Sequence, residues 1–354
     1  MPSVSVLKPT NEMICSADAP LRDVLAQIST ASIVALIVVD GDDRLVGVMT
    51  DGDVRRALLR RLDLDTLVRD VMNPNPVLGR LDDDRHNAAA LAATSSIIRF
   101  LPVVDTERRL ACVWVNSAVR GTLSALVMAG GLGSRLGNQT RHTPKPLLPV
   151  AGEPMIEHVI RALENAGITN IYISVLHLAD QIERYAQKRS GKSKLHILRE
   201  PQRLGTAGAV GLLPPDDAGP LLVSNADVMT TVTFDAMVDF HTRQGNHATI
   251  AVARHEQRLE FGIIHHDEQG RFRNIEEKPT FVHFIAAGIY LLGPEVRRLV
   301  PRNTYIDMPN LLNAARTAGL DVGLFPVHEY WRDVGRPIDL ADADADLRAS
   351  KRDF

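Results

Sequence analysis

Two cysteines, Cys15 and Cys112, are all that the 354 residues contain, too few for a disulfide framework or a multi-cysteine zinc site. That scarcity fits a reducing compartment. An excess of positive charge is also missing: 40 Lys and Arg face 43 Asp and Glu, a formal net charge of −3. No global basic field is available to hold a polyanion, so nucleic acid is not an expected partner. No uninterrupted apolar run approaches the roughly 20 residues that a membrane helix needs. Met1 to Thr10 lacks a positively charged start followed by a long apolar stretch. A soluble, cytoplasmic protein with no membrane partner is expected. What is present in quantity is apolar content, 45% of a chain long enough to build two separate cores.

The first 120 residues repeat themselves. Val38-Val39-Asp40 aligns with Val103-Val104-Asp105, and Arg44-Leu45 with Arg109-Leu110, at one constant offset of 65 residues. In the first copy, Asp18 is placed to cap a helix with Pro20 in its first turn, and Leu21, Val24, Leu25 and Ile28 follow the apolar spacing of an amphipathic helix. A buried strand over 33–39, a turn at Gly41-Asp42-Asp43, a second strand over 45–49 and a charged helix from about Asp51 complete the unit. The second copy opens after Asn73-Pro74-Asn75-Pro76.

This helix-strand-strand-helix pair, over about residues 7–65 and 70–120, resembles two tandem CBS domains, an α+β module. In such repeats a Thr or Ser at the end of the second strand and an Asp three positions later hold an adenine nucleotide. Thr50 and Asp53 of Gly47-Val48-Met49-Thr50-Asp51-Gly52-Asp53 match that pattern. A carboxylate there can accept from both ribose hydroxyls, and a helix N-terminus suits phosphate. The second copy has Val115 and Ala118 at the same offset, so at most one AMP, ADP or ATP site is expected. The alternative is that Thr50 and Asp53 only cap a helix and that the pair serves association. CBS pairs usually associate face to face, so the resemblance implies a homodimer or larger homo-oligomer.

From Ser124 the texture changes. Leu126-Val127-Met128-Ala129 runs straight into Gly130-Gly131-Leu132-Gly133-Ser134-Arg135-Leu136, a strand entering a glycine-rich loop. Glycines remove the Cβ atoms that would keep backbone N–H groups away from phosphate, and Arg135 adds a delocalised cation. Taken alone, such a loop is equally well a tight strand-to-helix turn. Then Thr143-Pro144-Lys145-Pro146 sets one lysine between two prolines that restrict its backbone. Alternating strands and helices follow, implying a mainly parallel sheet. Along it come Glu200-Pro201-Gln202-Arg203-Leu204-Gly205-Thr206, the apolar strand Leu221-Leu222-Val223-Ser224-Asn225-Ala226 ending in Asp227, then Glu276-Glu277-Lys278-Pro279 and Trp331-Arg332-Asp333-Val334-Gly335-Arg336-Pro337. An acid at the carboxyl end of a strand lies where open α/β sheets present their ligands.

Together these segments, over about residues 124–340, resemble the sugar-1-phosphate nucleotidyltransferases of the mannose-1-phosphate guanylyltransferase type, whose pattern runs Gly-Gly-x-Gly-Thr/Ser-Arg-Leu, a gap, then Pro-Lys-Pro. The resemblance implies a Rossmann-like, mainly parallel α/β domain over 121–354 behind the CBS pair of 1–120. It implies that Ala129, Gly130, Gly131, Gly133, Ser134, Glu200, Gly205 and Thr206 bind the nucleotide. Asn225, Gly262, Glu277, Lys278 and Gly288 would meet the sugar phosphate. Arg135, Lys145, Lys278 and Asp227 would carry the chemistry, with Mg²⁺ shared by Asp227 and Asp333, two oxygen donors suited to a hard cation. Two departures stand out: Gly137-Asn138-Gln139 replaces a more usual basic or proline-containing stretch, and Ala286 stands where many relatives have an asparagine that contacts the sugar.

The implied substrates are a nucleoside triphosphate and a hexose- or hexosamine-1-phosphate, and the products a nucleotide-sugar and pyrophosphate. A carboxylate at Glu200 accepts two hydrogen bonds, and guanine alone among the common bases offers two adjacent donors on its Watson–Crick edge, which points to GTP. A surface glutamate before a proline turn is the plainer reading of Glu200. A uridylyltransferase is the rival enzyme, and an inactive nucleotide-sensing scaffold the rival from another class. His265-His266, beside the turn Asp267 to Gly270, and the other histidines receive no chemistry.

Overall fold

The computed structural model describes residues 4–30, 35–93, 98–117, 123–215, 217 and 219–350. Ile33 and Val34 of the first expected buried strand, Ala118 of the second copy and the expected boundary at 120 lie outside the described residues.

The N-terminal part consists of β1 (Val4–Leu7), β2 (Ile14–Ser16), α1 (Leu21–Thr30), β3 (Ala35–Val39), β4 (Leu45–Thr50), α2 (Asp51–Leu59), β5 (Gly79–Arg80), α3 (Asp84–Ala93), β6 (Ile98–Val104) and β7 (Leu110–Ser117). Two small sheets form, β2-β3-β4 and β1-β7-β6-β5. Their hairpins are copies of one another. In β3/β4, Val38 faces Gly47 and a bulge brings Val39 opposite Leu45, while in β6/β7, Val103 faces Cys112 and a bulge brings Val104 opposite Leu110. Both turns are tied by an aspartate, Asp40 accepting from Asp42 N and Arg44 N at 2.9 Å, and Asp105 accepting from Glu107 N at 2.9 Å and Arg109 N at 2.8 Å. The 65-residue period of the sequence is thus a period of register. In α1, Leu21, Val24 and Ile28 are buried, as their spacing requires. Asp18 precedes that helix, and its carboxylate accepts from Arg69 at 2.6 Å.

The remainder is built from β8 (Ser124–Met128), β9 (Pro149–Val150), β10 (Glu153–Pro154), α4 (Met155–Asn165), β11 (Asn170–Val175), α5 (Ala179–Lys188), β12 (Lys194–Arg199), β13 (Leu221–Asn225), β14 (Val228–Thr230), α6 (Phe234–Gln244), β15 (Ala248–Arg258), β16 (Ile263–His266), β17 (Phe272–Glu276), β18 (Thr280–Leu292), α7 (Pro294–Arg297), α8 (Met308–Thr317), β19 (Val322–Val327), β20 (Trp331–Asp333) and α9 (Pro337–Ser350). Seven strands make one sheet in the order β12-β11-β8-β13-β18-β15-β19. Its pairs are parallel except where β18 runs antiparallel to β13 and β15.

Each central strand is apolar on both faces because both faces are covered. Ala125 and Val127 pack into one core with Met155, Ile156, Val159 and Ile160 of α4, while Leu126 between them enters a second core with Met308, Leu311 and Ala315 of α8. Burying a side chain such as Ile160 contributes about 1.5–3 kcal/mol. Helix α4 stops where Gly167 takes φ +71° and donates its N–H to Glu164 O at 2.9 Å, a left-handed cap that favours glycine. Among the described residues no helix is long and apolar enough to cross a membrane.

Candidate functional site

Four parallel strands, β12, β11, β8 and β13, end at the same level. Met128 sits opposite both Ser174 and Asn225, and Arg199 opposite Val175. The segments beyond their carboxyl ends are laced together by Ala129 N to Ser174 O at 2.9 Å, Ala226 N to Met128 O at 3.2 Å and Glu200 N to Val175 O at 2.9 Å. The sheet therefore delivers Ala129–Gly133, Glu200 and Asp227 to one edge, the usual ligand position of an open α/β sheet.

In the glycine loop the glycines do different jobs. A Cβ on Gly130 would lie 2.8 Å from Glu200 Oε1, and one on Gly133, at φ +64°, would lie 2.9 Å from Thr140 Cγ2 and 3.1 Å from Lys145 Cβ. A Cβ on Gly131 would meet nothing within 4 Å. Gly130 and Gly133 thus make room for protein, whereas Gly131 faces open space. Ser134 and Arg135 are exposed and begin the 3-10 turn after the loop.

Asp227 and Asp333, far apart in the chain, are brought together by β14 pairing antiparallel with β20. Val228 is opposite Asp333, and Val334 N donates to Asp227 O at 3.1 Å. Lys145 Nζ donates to Asp227 Oδ2, while Asp227 Oδ1 is buried without a hydrogen-bond partner among the described residues. Loss of hydration, then the adjacent Asp227 carboxylate, push the Asp333 carboxyl above its ordinary range, against Lys145 and Arg135. Arg135 also borders Gly335, where an added Cβ would be 3.5 Å from Arg135 Nη1 and 3.7 Å from Asp333 Oδ2. Two neighbouring carboxylates, one with an orphaned buried oxygen, leave an acceptor unsatisfied, and their all-oxygen donor set fits a hard divalent cation. Arg135, Lys145, Asp227 and Asp333 therefore form one cluster.

Glu200 is not a surface residue. It is 8% exposed, and its carboxylate accepts from Ser174 Oγ and, at 3.0 Å, from Leu204 N. The plain reading as a solvated glutamate before a turn is corrected on that ground: the strand end carries the side chain inward under Gly130. Gly205, at φ +78°, and Thr206 are tied to the start of α8, with Thr206 N donating to Asp307 Oδ1 at 2.9 Å and Met308 N donating to Thr206 Oγ1 at 2.8 Å. A Cβ on Gly205 would strike Ile306 O at 2.6 Å.

The residues assigned to the sugar phosphate fall into two groups. Asn225 and Gly288 meet across β13 and β18, since a Cβ on Gly288, at φ +74°, would lie 2.8 Å from Asn225 Nδ2. Gly262 and Glu277 meet beside the β16/β17 ribbon, where the same construction on Gly262 lies 2.9 Å from Glu277 Oε2. Glu277 and Lys278 are exposed, Lys278 at φ +46°, and Ala286 is exposed on β18.

Thr50 and Asp53 stand apart from this cluster, at the start of α2. They form a reciprocal capping box: Thr50 N and Oγ1 donate to Asp53 Oδ2 at 2.8 and 2.6 Å, Asp53 N donates to Thr50 Oγ1 at 3.3 Å, and Arg56 donates to the other carboxylate oxygen. Sequence reasoning missed Ser174 and Asp307, the supports of Glu200 and Thr206. Asp307, ahead of Met308-Pro309, carried the signal of a helix start with an early proline. Ser174, inside an apolar strand, carried none.

A family profile described as nucleotidyl transferase matches residues 124–350, and one described as CBS domain matches residues 6–60. The chain is 33% identical over 236 residues to the mannose-1-phosphate guanylyltransferase catalytic subunit beta of Drosophila melanogaster, covering 64% of this chain and 63% of that protein. It is 34% identical over 231 residues to the mannose-1-phosphate guanyltransferase of Emericella nidulans, covering 62% of each. The chain thus spans a little under two thirds of the length of these relatives. Among solved structures, HddC from Yersinia pseudotuberculosis complexed with GMP-PN is similar in fold, with TM-score 0.50 and 22% identity, covering 63% of this chain and 99% of that one.

Proposed function

This chain belongs to the nucleotidyl transferase family, and from that premise we propose that it is a cytoplasmic sugar-1-phosphate guanylyltransferase. An oxygen of the sugar phosphate forms a bond to the α-phosphorus of GTP, and the bond from that phosphorus to the bridging oxygen breaks. Pyrophosphate leaves with the electron pair, and a GDP-sugar remains. The observation that carries this reading is the Asp227–Asp333 pair, with an orphaned carboxylate oxygen beside Lys145 and Arg135, beyond the strand ends that hold the glycine loop.

The nucleophile needs no side-chain base, because a phosphomonoester with a second pKa of about 6 is already largely dianionic at neutral pH. The difficulty is bringing anions together in line, so positioning and positive charge supply the catalysis. Arg135 binds the triphosphate above the open face at Gly131, and Lys145, held by Asp227, is aimed at the reacting phosphates. Lys278 meets the sugar phosphate, and Glu277, Asn225, Gly262 and Gly288 shape the sugar side. Asp227 and Asp333 would hold Mg²⁺, which when bound would neutralise charge at the α-phosphate.

GTP is favoured by the carboxylate at Glu200, whose oxygens keep lone pairs beyond those given to Ser174 and Leu204, and by the names of the relatives. Those names supply mannose-1-phosphate as the first hexose phosphate to test. Residues 1–120 act as a tandem CBS pair (about 7–65 and 70–120) that binds AMP, ADP or ATP at Thr50 and Asp53 and joins protomers, while 121–354 is the transferase domain.

Pyrophosphate release is measured with GTP, UTP, dTTP, CTP and ATP against a panel of hexose and hexosamine 1-phosphates in Mg²⁺. GTP is expected to react fastest, and Asp227→Ala to fall to background with its melting transition retained. Turnover retained in Asp227→Ala removes the metal assignment, and preference for UTP removes the guanylyl assignment. If adenine nucleotides neither bind nor alter the rate, only the association role of the CBS pair remains.

A further inference from the structure

The largest fully buried side chain among the described residues is an arginine outside the site. Arg55, on α2 of the N-terminal part, is 0% exposed. Its Nε donates to Asp51 Oδ2 at 2.6 Å, its Nη2 and Nη1 to Glu329 Oε1 and Oε2 at 2.7 and 3.3 Å, and Nη1 also to Pro326 O. The guanidinium lies 3.7 Å from the centre of the Phe325 ring, and His328 Nε2 sits 3.2 Å from Asp51 Oδ1. Asp51, His328 and Glu329 offer atoms within 4.8 Å of one another, a spacing a metal ion can use. Arg55 already fills the space between the two carboxylates, which makes this an ion network rather than a cation site.

Four residues of this network lead into β20: Phe325 and Pro326 near the end of β19, and His328 and Glu329 in the corner that follows it. The strand that follows is three residues long, and so is β14, its only ladder partner among the described residues. A ladder that short does little to fix its own position. On its far side β20 is tied by Trp331 Nε1 to Ala287 O at 2.8 Å and by Arg332 to Asp342 and Asp346. On its near side Tyr330 O accepts from Thr231 N at 3.1 Å and from Thr230 Oγ1 at 2.8 Å, and one residue earlier Glu329, four residues before Asp333, is gripped by a residue of the N-terminal part. A planar fork that bonds two carboxylates and stacks on a ring tolerates little movement of its partners.

We propose that Arg55 is a positioning residue of the transferase: by clamping Glu329 and Pro326 it sets where β20 presents Asp333, so that the N-terminal helix α2 is a structural part of the cation site. The role rests on the reading of Asp227 and Asp333 as the cation-binding pair. It gives the Thr50–Asp53 end of α2 a material connection to that pair, one helical turn from the cap to the clamp and one short strand from the clamp to Asp333.

The test compares Mn²⁺ binding, read from the electron paramagnetic resonance signal of the free ion, in the wild-type chain, Glu329→Gln, Arg55→Lys and Asp227→Ala. Glu329→Gln keeps the volume of the side chain and leaves Arg55 with Asp51, and Arg55→Lys keeps the charge while losing the fork. Both are expected to bind Mn²⁺ at least fivefold more weakly and to lose at least fivefold in kcat, with KM for GTP within twofold of wild type. Asp227→Ala is expected to lose the binding. Clamp variants whose melting temperatures fall while Mn²⁺ affinity matches the wild type overturn the positioning role and leave a purely structural one. Unchanged Mn²⁺ binding in Asp227→Ala overturns the cation reading and the positioning role with it.

Discussion

Replacing Gly130 and Gly131 one at a time by alanine separates two reasons for a glycine that the loop places side by side. At Gly130 the new methyl would lie 2.8 Å from Glu200 Oε1, 3.4 Å from Glu200 Cδ and 3.5 Å from Leu176 Cβ. Glu200 has no cheap way to yield, since it is buried and its oxygens hold Ser174 Oγ and Leu204 N. Overpacking of this kind costs about 1–3 kcal/mol. For a unit of this size that is a fall of roughly 2–12 °C in melting temperature. At Gly131 the methyl meets nothing, so the stability change stays within about 0.5 kcal/mol. The same methyl would occupy the open face assigned to the triphosphate, so KM for GTP should rise by an order of magnitude or more. Differential scanning fluorimetry and initial rates of pyrophosphate release on both variants provide the check. A Gly131→Ala enzyme with wild-type KM would falsify the phosphate-cradle reading, and a Gly130→Ala protein that melts like the wild type would show that the Glu200 carboxylate is not fixed where it is described.

Two further outcomes follow from buried polar groups. Ser174→Ala removes a donor from the carboxylate of Glu200 while Leu204 N keeps its partner, and urea unfolding should register a loss of about 1–3 kcal/mol; an unchanged midpoint would mean the hydroxyl carries no part of that carboxylate's hydration debt. His241, packed on α6 with Nδ1 2.8 Å from Thr249 Oγ1, has its pKa pushed down to about 4 by burial and then by His247. The unfolded chain protonates near 6.5 and the folded one near 4, so acid favours unfolding across that window and stability falls as pH drops through it, by at most about 3 kcal/mol. His241→Gln should flatten that part of a pH series of unfolding midpoints, and a series that stays as steep assigns the acid sensitivity to other groups.

Much of this arrangement was legible in the amino-acid order, and the illegible part has a physical cause. The period relating Val38-Val39-Asp40 to Val103-Val104-Asp105 needed only aligned letters, because the turn aspartates and bulges that make it structural are local. The glycine loop, Lys145, Asp227 and Asp333 were identified by motif, while the antiparallel pairing that unites the acids, three residues against three, has no periodic signature to read. Asp51 and Arg55, one helical turn apart among charged neighbours, have the pattern of a solvated surface pair. They are buried because β19 and the corner after it cover them, and such covering by a distant segment leaves no trace in local spacing. Glu200 was singled out by residue type, but its inward placement depends on Ser174, a polar side chain whose role only the neighbouring strand reveals.

Only two tryptophans occur in the chain, Trp114 and Trp331, and the second lies on β20 two positions before Asp333, its indole N–H fixed to Ala287 O. The site therefore carries its own fluorophore, anchored to the strand whose placement matters most. With Trp114→Phe silencing the other emitter, the intensity and wavelength of a single indole are expected to report arrival of the proposed ion and nucleotide in unlabelled protein, in real time and without coupling enzymes.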